Sequence, residues 1–332
     1  MKKEFLSNKL HGVWVLIDSQ FNIDYTPPNE TSILLNKFAL EKKNTFYITD
    51  LYVLTAVIIW GTDFLFAKIA LREISPTSFS AVRTAISTAI LLPLFVHREK
   101  GRLVPIRHLF WLVGLALLGT FLNRILWAIG LTMTTASNSS LIMATSPIFV
   151  LIASSLFLRN EVSLRAAMGI LISFLGVFLV IRGDWKGWEI GSDAFLGNLI
   201  TIGAAISWAL FTVFAKRLLR EYSNLKVTAY VMLISTILYL PFLPNKAGGW
   251  LEVSGLAWLS VLYVAIMGNC LGYFLWIVGI RNIGPVRTVL YSYLMPVTAI
   301  FLAIPFLEET VTTMQVCGAS VVLGGILLAR SK

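Results

Sequence analysis

Three ionisable residues stand where the chain is otherwise fit only for hydrocarbon: Asp63 in IIWGTDFLFAKIALRE, Arg83 in SPTSFSAVRTAIS and Arg124 in GTFLNRILWAIGL. An ionised side chain near the middle of a bilayer costs about 2.5–3.5 kcal/mol on insertion scales, so such groups turn inward, to partners or to water. One carboxylate cannot neutralise two guanidiniums. Asp63 is therefore expected to pair with Arg83 or Arg124, leaving the other cation for an anionic group on a ligand, held in two-pronged fashion if that group is a carboxylate. Asp63 could also take up and release a proton, which makes the proton a candidate partner; pairing with an arginine works against that role. Lys68 lies close enough to the end of its apolar segment to snorkel to the interface.

On a helix, positions i, i+4 and i+7 share a face. Thr120, Arg124 and Trp127 form one such face, and Asn269, Tyr273 and Trp276 form another. Either the indoles are interfacial anchors, where tryptophan is enriched, or these faces line an internal path together with Trp60, Trp208 and Tyr291. Pro147 and Pro296 fall inside apolar segments, where a proline frees a carbonyl and can kink a helix. They are either gating hinges or ordinary membrane prolines.

The elements that position these residues follow from composition. The chain has 332 residues, 57% apolar and 13% charged, with a mean hydropathy of +0.79, outside the usual range for a soluble globular protein. Ten apolar stretches are long enough to cross about 30 Å of hydrocarbon at about 1.5 Å per residue: 51–71, 76–96, 109–130, 137–158, 164–181, 194–214, 225–243, 256–278, 287–307 and 312–329. Lipid admits helices or closed barrels, and the alternation of a barrel strand is missing. The expected fold is an all-α integral membrane protein with ten transmembrane helices.

The net charge of +10 records topology, not affinity for nucleic acid. With a cytoplasmic amino terminus, twenty Lys and Arg residues fall on the inside and four (Arg72, Arg182, Lys186 and Lys246) on the outside, which sets both termini in the cytoplasm by the positive-inside rule. Cys270 and Cys317 lie in apolar segments as small hydrophobes, and His11, His97 and His108 lie outside the spans, so no disulfide, metal or cofactor is expected. Residues 1–47 contain YTPPNETS and KFALEKKN. Their apolar run GVWVLI is too short to span and lacks the pattern of a cleaved signal. They are expected to form a poorly ordered cytoplasmic extension.

The sequence also repeats. Trp60 and Lys68 recur 148 residues later as Trp208 and Lys216. At an offset of 149, Gly119, Leu122, Leu126, Trp127 and Gly130 recur as Gly268, Leu271, Leu275, Trp276 and Gly279, and Pro147, Gly169 and Gly176 as Pro296, Gly318 and Gly325. The chain thus reads as two copies of a five-helix unit, 48–182 and 194–331. An odd number of spans puts the second copy in the membrane upside down, and inverted repeats of this kind build alternating-access carriers. The paired glycines, seven residues apart on one helix face, imply close helix packing.

WGTDFLFAKIAL, SPTSFSAVR, GLTMTTASNSSLIMATSPIFV, SWALFTVFAK, LWIVGIRNIGP and YSYLMPVTAIFLAIPFLEETVT together resemble the EamA-like branch of the drug/metabolite transporter superfamily over roughly residues 48 to 331. The resemblance implies a ten-helix inner-membrane carrier, many members being exporters of amino acids or other small metabolites. Two departures stand out: Asn160, with Glu161 beside it, where the family commonly has an acid, kept in the second half as Glu309; and Asp63, where the family often has a neutral polar residue. The expected partners are a small-molecule substrate and the lipid bilayer; no oligomer is implied. Nucleobases, drugs or sugar derivatives are alternative cargoes, and a sensor without flux is a further alternative. An intramembrane enzyme would need a nucleophile, base or metal set that the helices do not contain.

Overall fold

A backbone in hydrocarbon must satisfy its own hydrogen bonds, and the apolar runs do so as helices. The computed structural model describes residues 31–99, 104–158, 164–183, 192–242 and 252–330. The chain divides into two units, Met1–Thr45 and Phe46–Lys332, and both repeats lie in the second. Residues 1–30, Asn160, Glu161, Lys186 and Lys246 lie outside the described residues.

The helices of the first repeat are α1 (Thr31–Ala70), α2 (Pro76–Glu99), α3 (Ile106–Met133), α4 (Ala136–Phe157) and α5 (Leu164–Gly183). Those of the second are α6 (Asp193–Leu218), α7 (Asn224–Phe242), α8 (Gly255–Ile283), α9 (Pro285–Leu307) and α10 (Thr313–Arg330). Among the described residues eight are long and apolar enough to cross a membrane, α1 through its stretch Ile48–Ala70. The expectation of ten crossings is therefore met for eight: α5 and α10 are helical, but α10 contributes only a shorter apolar stretch, Thr313–Gly325.

The repeat reappears in the contacts. Ser87 Oγ donates to the carbonyl of Ala265 (3.0 Å), and its counterpart Ser235 Oγ donates to that of Ala116, the counterpart of Ala265 (3.3 Å). Val53 packs on Gly279 while its counterpart Thr201 packs on Gly130. A few contacts join a residue to its own counterpart: Thr88 Oγ1 bonds Thr236 Oγ1 (2.8 Å), and the Trp60 and Trp208 rings meet edge-on at 5.2 Å. Exchanged pairs surrounding a few self-paired contacts are what a two-fold axis produces.

Four helices are irregular, again in counterpart pairs. A π turn interrupts α3 at Leu117–Leu122 and α8 at Val264–Gly272. α4 breaks between Ala136–Met143 and Ser146–Leu158, and α9 passes through a 3₁₀ turn, Leu290–Tyr293, between Pro285–Val289 and Leu294–Leu307. Pro147 sits in the first turn of the helix that restarts at Ser146, where a missing N–H costs no hydrogen bond, whereas Pro296 lies just past the 3₁₀ turn of a helix that runs on from Pro285 to Leu307. Only Pro147 therefore marks where a new helix begins; Pro296 lies inside a continuing one, as the sequence suggested.

α5 and α10 pack through their glycines. Val322 backs onto Gly176, Ser173 backs onto Gly325, and Ser173 Oγ donates to the Val322 carbonyl (3.2 Å). Bare backbone at these glycines lets the two helices approach this closely. A leucine at Gly176 would push the two backbones apart, and we expect Gly176→Leu to lower the melting temperature by several degrees in detergent, an overpacking cost of about 1–3 kcal/mol. An unchanged melt would show that α5 and α10 are held by something else.

Candidate functional site

The site is built on the π turn of α8. A π turn displaces carbonyls from their usual helical partners, and the carbonyl of Gly268 accepts the indole N–H of Trp60 at 3.0 Å. Trp60 Nε1 also lies over Gly272, and Asp63, one turn along α1, sets its carboxylate against the bare backbone of Gly268. Neither approach would be open if these positions carried a side chain. The counterpart of Asp63 is Phe211, whose ring covers Gly119, the counterpart of Gly268, on the π turn of α3. There the displaced carbonyls of Thr120 and Phe121 accept the Tyr239 hydroxyl (3.0 and 2.8 Å).

Trp60, Trp208 and Trp276 form a three-ring cluster with centroids 5.0–5.5 Å apart. Two guanidiniums lie on aromatic rings, one of them on this cluster. Arg83 is 4.8 Å from the Phe79 ring and 5.1 Å from that of Trp127; Arg124 is 5.7 Å from Trp60 and 5.6 Å from Trp208. Each such contact offsets part of the burial cost, by about 0.5–2 kcal/mol. Asp63 is 2% exposed, Arg83 0% and Arg124 8%.

No ion pair joins Asp63 to either arginine. Both carboxylate oxygens of Asp63, Nε and Nη1 of Arg83, and Nε and Nη2 of Arg124 are buried without a hydrogen-bond partner among the described residues. Arg83 Nη2 instead reaches the Arg124 carbonyl, at 3.5 Å. This corrects the sequence expectation that Asp63 would be paired. Each guanidinium stacks on its rings, and the carboxylate lies against the bare backbone of Gly268.

These groups surround a cavity of about 30 Å³ lined by Trp60, Asp63, Phe64, Asn123, Arg124, Trp127, Met143, Trp208 and Met295. That volume admits a water or two, far below the roughly 300 Å³ or more of a small-molecule pocket. A cargo therefore requires the surrounding helices to move. Of the residues proposed from sequence, Trp60, Asp63, Arg124, Trp127 and Trp208 line the cavity, and Arg83 stacks on one of its walls. Trp127 and Trp276 are 3% and 0% exposed, which rules out the interfacial-anchor reading. Trp276 stands behind Trp60 and Trp208 and donates to Thr212 Oγ1 at 3.4 Å.

The remaining sequence candidates lie elsewhere. Thr120 bonds Ser235 Oγ and the Ala116 carbonyl and does not line the cavity. Asn269 and Tyr273 are buried with unpartnered polar atoms but are not among the lining residues either. Tyr291 borders a separate cavity of about 200 Å³ beside Arg287. Lys68 Nζ donates to the carbonyls of Leu131 (2.5 Å) and Thr134 (2.6 Å) at the end of α3.

Residues 47–182 and 195–331 each match the EamA-like transporter family. The chain belongs to the EamA-like transporter family. It is a membrane transporter, not an enzyme. It is 29% identical over 281 residues to an uncharacterized transporter of Bacillus subtilis, YetK, spanning 83% of this chain and 85% of that one. It is 26% identical to a Salmonella typhimurium protein named as a probable amino-acid metabolite efflux pump, over 83% of this chain and 92% of that one. A solved crystal structure, 19% identical, superposes with a TM-score of 0.62 over 85% of this EamA-like chain and 95% of its own, a likeness of fold.

Proposed function

We propose that this EamA-like transporter is a secondary carrier that exports a small zwitterion, an amino acid or related carboxylate-bearing metabolite, by alternating access. One observation carries the reading: an unpartnered carboxylate faces unpartnered guanidinium donors across a buried aromatic cavity. A buried charge without a partner is costly, and a zwitterion supplies both missing partners at once. Its carboxylate takes the free donors of Arg124 and Arg83, and its ammonium takes Asp63, while Trp60, Trp127, Phe64 and Met295 accept an apolar side chain. The name of the Salmonella relative supports the same class. A nucleobase or other flat neutral compound would fit the indole walls but leave the three charges unmatched.

In this reading α5 and α10 complete ten crossings, the two repeats are inverted, and both termini face the cytoplasm from the inner membrane. Thr88 and Thr236, bonded to each other, lie on the axis relating the repeats. Asp63 is the residue through which a proton gradient would couple.

The test is flux into liposomes holding the purified protein, offered amino acids, nucleobases and vitamins, with and without a proton gradient. Selective, saturable transport of zwitterions is expected. It should fall by about thirtyfold or more in Arg124→Gln, the consequence of removing one partner of a buried charge pair worth about 2–5 kcal/mol. Normal transport in both Arg124→Gln and Arg83→Gln would sink the charge-matching argument, and a gradient effect that survives in Asp63→Asn would remove Asp63 from coupling.

A further inference from the structure

The repeat offsets of 148 and 149 also relate two polar contacts at opposite ends of the bundle. At one end Asp50, near the start of the crossing part of α1, pairs with Arg287 on the short helix Pro285–Val289 (Oδ2 to Nη2, 2.7 Å). The counterpart of Asp50 is Asn198 on α6, and that of Arg287 is Asn138 on the short helix Ala136–Met143; Asn138 Nδ2 donates to Asn198 Oδ1 at 2.7 Å. The ends are opposite because Asp50 and Lys68 share unbroken α1, eighteen residues apart, or about 27 Å at 1.5 Å per residue. Lys68 bonds the Thr134 carbonyl, and Thr134 Oγ1 donates to Asn198.

Both contacts have the same build. Each ties the start of the crossing part of a long helix to a short helical arm; the arm Ala136–Met143 ends at the interruption before Pro147, and the arm Pro285–Val289 at the 3₁₀ turn before Pro296. The cavity lies between the two. With both contacts made, it has room for only a water or two.

We propose that Asp50–Arg287 and Asn138–Asn198 are the two gates of the transport cycle, opened in turn as one arm swings about the interruption before Pro147 and the other about the 3₁₀ turn before Pro296; this rests on the alternating-access reading. The gates share a backbone plan but not a chemistry: one is an ion pair, the other a neutral amide pair. The amide end has a second latch that the other end can copy only in part. The Glu309 carboxylate accepts the backbone N–H groups of Ala136 (2.7 Å) and Ser137 (2.9 Å) at the start of the arm, and the counterpart of Ala136 is Pro285, which has no N–H.

The experiment reads which face of the membrane reaches the cavity. In full-length protein carrying Cys270→Ser, Cys317→Ser and the cavity reporter Met295→Cys, labelling by a membrane-impermeant maleimide is timed from each face of oriented vesicles. Asp50→Asn is expected to speed labelling about threefold or more from the face nearest Asp50 only, since loss of a contact made in one state shifts the population away from it. Asn198→Ala together with Glu309→Gln is expected to do so from the opposite face only. The swap Asp50→Arg with Arg287→Asp should return labelling to the parent rate, which a merely misfolded variant would not do. Equal acceleration from both faces, or none in variants that melt as the parent does, overturns the assignment. Labelling needs no cargo, so a face-specific response in a protein without flux would keep the gates and reject the carrier reading, whereas flux with unresponsive labelling would do the reverse.

Discussion

Arg83→Met is expected to give a protein that melts at a higher temperature and transports nothing measurable. Arg83 is fully buried, two of its guanidinium nitrogens have no partner among the described residues, and a second buried cation, Arg124, lies alongside. Replacing buried charges by apolar groups of similar size is often neutral or stabilising by about 1–4 kcal/mol. Methionine keeps the length and flexibility to fill the space between Phe79 and Trp127 and makes favourable sulfur–aromatic contacts. Transport should fail for the same reason that stability rises: the unpartnered donors are there for a ligand, and holding them unpartnered is a cost to the folded state. Thermal melting and liposome flux on one preparation check both halves. A lower melting temperature would mean that Arg83 holds the fold together, and intact flux would mean that the cargo does not use it.

Gly268→Ala is expected to have the largest effect of any single methyl group added to the protein. The new Cβ would fall on the Asp63 carboxylate, which has α1 behind it and cannot retreat without moving the Trp60 bond to the same glycine. Overpacking of this kind costs about 1–3 kcal/mol, and displacement of Asp63 removes one pole of the site. The pair Gly268→Ala with Asp63→Ala should recover the melting temperature but not transport, which separates the steric cost from the chemical one. At the counterpart position Gly119→Ala meets the Phe211 ring, and Phe211→Leu should relieve it. If the double variant at 268 and 63 melts no higher than the single one, the contact with Asp63 is not the source of the strain.

How far each feature can be read from sequence depends on how it is encoded. Asp63, Arg83 and Arg124 are legible because a charge in an apolar run has few excuses, and the repeat is legible because Trp60 and Trp208, or Gly119 and Gly268, recur at one spacing. The π turns are not legible. Each widens the helix by one residue in a turn, so the i, i+4 rule that places Thr120 beside Arg124 fails across Leu117–Leu122, and Thr120 turns to Ser235 instead. Asn123, which also lines the cavity and bonds the Ala204 carbonyl at 2.9 Å, escapes sequence reasoning for the same reason. Asp50 and Arg287 escape it because charges at helix ends are ordinary, and Asn138 and Asn198 because neutral amides raise no alarm in an apolar run. Counting charges predicts that Asp63 is neutralised; the side chains are instead held apart by ring stacking, which no count of charges can show.

The bond between Thr88 and Thr236 and the meeting of Trp60 with Trp208 bear on motion in a way that contacts with a separate mate do not. If the two halves trade shapes, every contact is carried onto its mate: the Asp50–Arg287 contact takes the role of Asn138–Asn198, and the seat of Val53 that of Thr201. A contact that is its own mate has nowhere to go. These two, together with the Ser173–Val322 bond between α5 and α10, are fixed points of the exchange, and they act as its fulcrum. Probes placed at 88 and 236 should hold one separation through the whole cycle while every distance measured away from the axis takes two values.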